Sequence, residues 1–240
     1  MSMKKKTLLM FAAMSVAFAM IIGFTVGCEP QLEERDCVVM LGDSIFALSE
    51  DETAYLEDLS GHIYRHYYQN GAQLEGGSII ARDDIEDQYD DAIRDGDIRT
   101  IIMDGGGNDM LLGGDMEYSE ELEAEILAAW NRILDKAAGD GVENVVIQGY
   151  YITDTGGVTV EDLVRTENYL VAAGAERGLN LVYVNPATDS WFANRRPSQY
   201  TTFDGIHPTE AASERLANMV WDAMIANNIE QGAGCTYFNP

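Results

Sequence analysis

Basic residues are scarce in this chain. Its 240 residues set 15 Lys and Arg against 41 Asp and Glu, a formal net charge of −26, and Lys136 is the only lysine beyond residue 6. A field of that sign repels phosphate backbones and anionic lipid surfaces. Nucleic acid is thereby excluded as a partner, and membrane contact is confined to an anchor. The excess reads as solubility rather than as a surface for a cationic partner. Also missing are internal repeats and any long Pro, Gly or Ser linker, so the length supports one well-cored domain and not two. The acidic stretch from Asp83 to Asp97 lacks the glycine spacing of a calcium-binding loop and reads as solvated helix and loop.

Cysteine is sparse as well: Cys28, Cys37 and Cys235 are the whole set. Cys28 closes a segment of distinct composition. Lys4, Lys5 and Lys6 precede an apolar run from Leu8 to Gly27, the pattern of an export signal over residues 1–27. Thr25-Val26-Gly27-Cys28 resembles a bacterial lipoprotein processing site, in which the cysteine is lipidated after cleavage. Ala17-Phe18-Ala19 offers an ordinary cleavage site instead, and the run is long enough to stay as a membrane span. The lipid anchor at Cys28 is the favoured reading. It makes residues 28–36 a tether and 37–240 the domain, in the cell envelope or secreted. It also leaves Cys37 and Cys235 as an even pair in a compartment that permits a disulfide.

Apolar runs of strand length recur at Cys37 to Leu41, Ile98 to Met103, Asn144 to Gln148 and Leu181 to Val184, with a shorter one at Ala72 to Leu74. Between them lie helical spacings: Leu56, Leu59, Ile63 and Tyr67; Leu122, Ile126, Trp130 and Ile133; Leu163, Tyr169, Leu170 and Ala173; and Ala212 through Ala223. Continuous apolar strands alternating with helices predict an α/β fold, a five-stranded parallel sheet covered on both faces, with ligands gathering beyond the carboxyl ends of the strands.

Polar motifs fall at those ends. Ser44 ends the first strand's run, in Gly42-Asp43-Ser44. A serine hydroxyl attacks only when a base takes its proton and a third group orients that base. Only three histidines are present, His62, His66 and His207. His207 follows the last strand, and Asp204 lies three residues ahead of it, within reach of the imidazole. Asn108, in Gly105-Gly106-Gly107-Asn108-Asp109, brings an amide donor to the same edge, where an oxyanion needs one. Glu75-Gly76-Gly77-Ser78 supplies a bare backbone N–H, and the Ser44 amide is a third donor. His62 and His66 sit four apart, the spacing of a metal pair, but no nearby carboxylate or cysteine completes a site. They read as one exposed helix face, with no metal.

These four segments carry a resemblance. Gly42-Asp43-Ser44-Ile45, Gly76-Gly77, Gly106-Gly107-Asn108-Asp109 and Asp204-Gly205-Ile206-His207, in order, are similar to the four sequence blocks of the SGNH/GDSL hydrolases. The resemblance implies a flavodoxin-like α/β/α sandwich and ester hydrolysis through a serine acyl-enzyme, without cofactor. In that scheme Ser44 is the nucleophile, His207 the base, Asp204 its orienter, and Ser44, Gly77 and Asn108 the oxyanion donors. The glycine block leaves Gly76 and Gly77 both eligible; Gly77 is taken because Ser78 then follows it as a small residue.

Substrate signals are thinner. Met110, Leu111 and Leu112 follow Asn108, Tyr150-Tyr151 follow the fourth strand, and Trp191, Phe192, Arg195, Arg196 and Tyr200 precede Asp204. Such aromatics either line the substrate or cover core; Tyr150 and Trp191 are taken as substrate-lining. Arg195-Arg196 either bind a carboxylate or phosphate or pair with local acids. With no lid visible, the expected site is shallow and open, suited to removing a small acyl group from a saccharide or other small ester. The alternatives are a lysophospholipase or lipid esterase, and a catalytically silent envelope lipoprotein that binds glycans.

Overall fold

Five parallel strands form one sheet in the order β2-β1-β3-β4-β5. They are β1 (Glu33–Leu41), β2 (His62–His66), β3 (Thr100–Met103), β4 (Asn144–Gln148) and β5 (Asn180–Val184). The computed structural model describes residues 33–229, apart from 49, 75, 77, 79, 113–118 and 155–156. The export segment, Cys28, Gly77 and Cys235 therefore lie outside the described residues. Cys37 is disulfide-bonded.

Period-two alternation sorts the strand residues onto two faces. Val39, Leu41, Ile101, Met103, Val145, Ile147 and Leu181 turn one way, against α3 (Ile85–Asp95), α5 (Glu120–Gly139) and α6 (Val160–Glu176). Val38, Met40, Ile102, Val146 and Val184 turn the other way, against α1 (Ser44–Leu48), α2 (Glu50–Ser60) and α8 (Glu210–Ala226). The result is the expected three-layer α/β/α sandwich with the flavodoxin-like strand order. Each of the large helices on the first face begins at a side-chain cap: Asp84 for α3, Ser119 for α5, and Thr159 with Asp162 as a capping box for α6.

Two short helices, α4 (Gly107–Leu112) and α7 (Ser190–Ala193), lie near the carboxyl ends of the strands. There a third apolar cluster of Ile45, Tyr151, Phe192, Tyr200, Ala212 and Leu216 packs. Tyr151 stacks on Phe192 at 5.5 Å, and Tyr200 meets both rings edge-on.

The structure corrects the sequence reading along the sheet's edge. The second strand is His62–His66, not Ala72 to Leu74, and the helix expected to run through Tyr67 stops at Ser60. Gly61, at φ +73°, turns the chain there. Leu56 is buried but Leu59 and Ile63 are exposed, so the apolar spacing that mimicked one helix face is not one continuous buried face. His62 and His66 therefore sit on a strand, and His66 Nε2 lies 2.9 Å from Glu57 Oε1. Ala72 and Leu74 are buried but belong to a loop. β1 also begins earlier than Cys37, since Glu33 already pairs with His62, so the supposed tether contributes to the sheet.

Candidate active site

β1 delivers its last residues into a loop held on every side. The Gly42 N–H donates to Gln88 Oε1 at 2.8 Å, and the Gly42 carbonyl accepts from Gln88 Nε2 at 2.9 Å, so one buried side chain from α3 grips both polar groups of a glycine. The Asp43 N–H donates to Asp104 Oδ1, just past β3, at 2.8 Å. Asp43 Oδ1 accepts the Ile45 N–H, and Oδ2 accepts the Tyr150 hydroxyl, each at 2.8 Å. Ser44 then opens α1, itself buried. Burial pushes the Asp43 carboxyl up, against the bonds from Ile45 and Tyr150 and the charge of nearby His207, all of which favour the carboxylate. Asp104 is pushed much further up, by burial first and by Asp43 second. Its Oδ2 has no hydrogen-bond partner among the described residues, whereas Asp43 has two donors. Asp104 is thus the member of the pair that keeps its proton.

The acid–base couple sits on a turn. Asp204 Oδ2 lies 2.6 Å from His207 Nδ1, while Oδ1 accepts from Thr202 Oγ1, the Ile206 N–H and the His207 N–H at 2.9–3.0 Å. Burial acts to raise Asp204, but these bonds, that from His207 foremost, outweigh it and hold the carboxyl well below the usual range. The turn is braced from the segment after β4 and from the preceding segment: Tyr151 donates to the Ile206 carbonyl and Tyr200 to the Ile152 carbonyl, both at 2.5 Å. His207 Nε2 is buried with no hydrogen-bond partner among the described residues, so the link to Ser44 is not formed in this structure.

Asn108 enters from α4 and is buried. One proton of its amide goes to the Ala72 carbonyl at 2.9 Å, leaving the second for another acceptor. Its neighbour Asp109 accepts the Leu74 N–H at 2.9 Å. The 72–74 loop mistaken for a strand is therefore tied to the asparagine block, which explains how its backbone tolerates burial. Ser78 does not face solvent chemistry; its hydroxyl bonds the Gly71 carbonyl and accepts from the Ile80 and Ala81 amides. Gly76 holds φ +84°, and a Cβ there would meet Asp84 Oδ2. Gly77 lies outside the described residues.

Ser44 and Asn108 open onto one cavity of about 70 Å³, lined otherwise by apolar groups such as Ile45, Met110, Leu111, Ile152, Leu163 and Ile206. The space beside Ser44 is a small, mostly apolar pocket that is only partly closed. Tyr150 is part of its wall, but its hydroxyl is engaged: it donates to Asp43 and accepts the Gly107 N–H at 3.1 Å. Trp191 is not part of that wall; it packs edge-on against Phe192 and carries the Arg195 guanidinium 4.1 Å above its ring. Arg195 accordingly stacks on an aromatic face and has no acidic partner among the described residues. Sequence reasoning missed Gln88 and Asp104, which hold the Ser44 loop. A polar residue directly after a fully buried strand was the available signal for Asp104.

No protein-family model matches this chain, and no curated protein matches it in sequence. Solved structures do resemble it. A protein from Slackia heliotrinireducens described as an SGNH hydrolase superposes with a TM-score of 0.57 at 18% identity, over 80% of this chain and 98% of that one. The fold is that of the SGNH hydrolases. An acetylxylan esterase from Geobacillus stearothermophilus superposes with a TM-score of 0.60 at 15% identity, covering 80% of this chain and 94% of the esterase. A psychrotrophic esterase from a Pseudoalteromonas species gives 0.54 at 14% identity, covering 80% and 98%. Of the four sequence blocks, Ser44 directly follows β1 and Asn108 lies just past β3, while the Asp204–His207 turn comes well after β5 and is held by Tyr151 from the segment after β4.

Proposed function

We propose that this protein is a serine ester hydrolase that removes short acyl groups through an acyl-enzyme. The observation that carries the reading is the cavity shared by Ser44 and Asn108, which puts a hydroxyl and a free amide proton on one small apolar space. Ser44 Oγ attacks the ester carbonyl carbon while His207 Nε2 takes its proton. Asp204 fixes the imidazole through Nδ1 and steadies the charge that forms. Asn108 and the Ser44 amide donate to the oxyanion, with a glycine of the second block as third donor. Collapse breaks the bond to the alcohol oxygen, which receives the proton from His207. Water, deprotonated by the same imidazole, then attacks the acyl-serine and releases the acid. Nε2 has no hydrogen-bond partner among the described residues and is the ring nitrogen left to take the Ser44 proton.

A cavity of about 70 Å³ is roughly half the ~150 Å³ that admits benzene. It suits acetyl to butyryl and not a lipid chain. Acetylated saccharides are the natural class to screen first, since one similar fold is an acetylxylan esterase. The disulfide at Cys37 supports the exported reading, with Cys28 as the lipid anchor. The test is turnover of p-nitrophenyl acetate, butyrate and decanoate, with fluorophosphonate labelling and Ser44→Ala as control. Short esters should turn over and the label should require Ser44. Preference for decanoate would reverse the assignment to a lipid esterase. An unlabelled protein whose glycan binding survives Ser44→Ala would make it a binding module.

A further inference from the structure

A second cavity, of about 50 Å³, lies behind the first. It is walled by Ile126, Trp130, Thr166 and Leu170 from α5 and α6, with the carboxylates Glu123 and Asp162 of the same helices on its rim, and it reaches the sheet at Ile147. Four residues line both cavities: Met110, Tyr150, Val158 and Leu163. They form a partition between the space beside Ser44 and the space between the helices. Together the two volumes approach the ~150 Å³ of a benzene-sized cavity.

The four members are not equally fixed. Tyr150 is pinned through its hydroxyl to Asp43 and Gly107, and its ring packs so closely on Gly107 that a Cβ there would meet Tyr150 Cζ at 2.9 Å. Leu163 is buried in the first turn of α6, behind the Thr159 capping box. Val158 is β-branched and stiff at χ1. Met110, partly buried like Tyr150 and Val158, alone is unbranched and borne on the short helix that carries Asn108. A thioether with three rotatable bonds is the adaptable element of such a wall.

We propose that the second cavity is a blind extension of the acyl site and that Met110 is the residue that sets the acyl-chain limit. This rests on the reading of Ser44 as nucleophile. With Met110 in place the chain ends near butyryl; with Met110 cut back, a hexanoyl chain runs between α5 and α6. The experiment is kcat/KM for p-nitrophenyl acetate and hexanoate in the wild-type protein, Met110→Ala, and Met110→Ala with Thr166→Phe. Met110→Ala should raise the hexanoate-to-acetate ratio about tenfold, the worth of burying two more methylenes. Thr166→Phe should cancel that gain, because it fills only the rear space. An unchanged ratio in Met110→Ala, or a gain that survives Thr166→Phe, overturns the proposal. Because each variant is scored by a ratio, a general loss of folded protein does not mimic either result. Absence of all ester turnover in the wild-type protein strikes the nucleophile reading instead.

Discussion

Asp104 Oδ1 fills the space that any side chain at Gly42 would need. The contact exists because Asp104 reaches across from the end of β3 to accept the Asp43 N–H, and Gly42, at φ +152°, lets it pass. Glycine is thus required at residue 42 by a neighbouring strand and not by the turn alone. Gly42→Ala should destabilise the fold by about 1–3 kcal/mol, the usual cost of overpacking, read as a lower urea midpoint at constant slope. Combined with Asp104→Gly, the loss should be less than additive, since the second change removes the clash. Full additivity would refute the steric account.

The protonated state of Asp104 gives stability a pH dependence of defined sign. An unfolded aspartate loses its proton near pH 4, whereas burial keeps the native Asp104 carboxyl protonated well above that. Between those two values the native state holds more protons than the unfolded state. Stability therefore falls as pH rises, by up to about 1.4 kcal/mol per pH unit for this group. Asn at the same position keeps the acceptor for the Asp43 N–H and carries no titrating proton. The stability of Asp104→Asn relative to wild type should thus increase from pH 5 to pH 8 in urea titrations. Glu52 and Asp43 act on Asp104 through their charges, so the difference between the two proteins reports Asp104 together with its effect on these neighbours. Parallel profiles would mean that Asp104 is ionised in the fold.

Asn108→Ala should lower kcat about 10²- to 10³-fold with little change in KM, as expected for one oxyanion donor. It should also cost about 1 kcal/mol of stability, because the Ala72 carbonyl loses its donor. A large rise in KM at constant kcat would place Asn108 in ground-state binding instead.

Much of this was legible in the sequence because strong signals coincided. Val38 to Leu41, Ile101 to Met103 and Val145 to Ile147 are buried on both faces, so they read as continuous apolar runs, and the sheet followed. Ser44 and Asn108 follow β1 and β3 closely, where polar residues after such runs stand out, whereas Asp204 and His207 lie well beyond β5 and were legible through their spacing to each other. The sheet's edge was illegible for the opposite reason. His62–His66 is half solvated, and its Tyr64-in, Ile63-out alternation is too short to override the helical spacing before it. Ala72 and Leu74 misled because burial was read as a strand, when the backbone is satisfied by Asp109 and Asn108 side chains that no local pattern shows. Trp191 shows the same ambiguity: an aromatic of this kind marks either substrate or core, and its packing on Phe192 is invisible in the sequence.

Tyr150 joins the two halves of the site, donating to Asp43 beside Ser44 and accepting from Gly107 beside Asn108. Removing its hydroxyl leaves the Gly107 N–H without that acceptor and Asp43 Oδ2 without that donor. Tyr150→Phe should therefore cost about 1–3 kcal/mol in stability. If the hydroxyl acts by holding the nucleophile and the oxyanion donor in register, kcat should also fall, by about tenfold for each 1.4 kcal/mol of lost transition-state stabilisation, while KM for acetate stays close to wild type. The deciding measurement is the double variant with Asn108→Ala. A residue that works by positioning Asn108 has little left to contribute once that amide is gone, so the two losses in kcat should fall well short of additive. Independent, multiplying losses would show that Tyr150 serves the Ser44 loop alone, and the bridge to Gly107 would then be packing without a part in the chemistry.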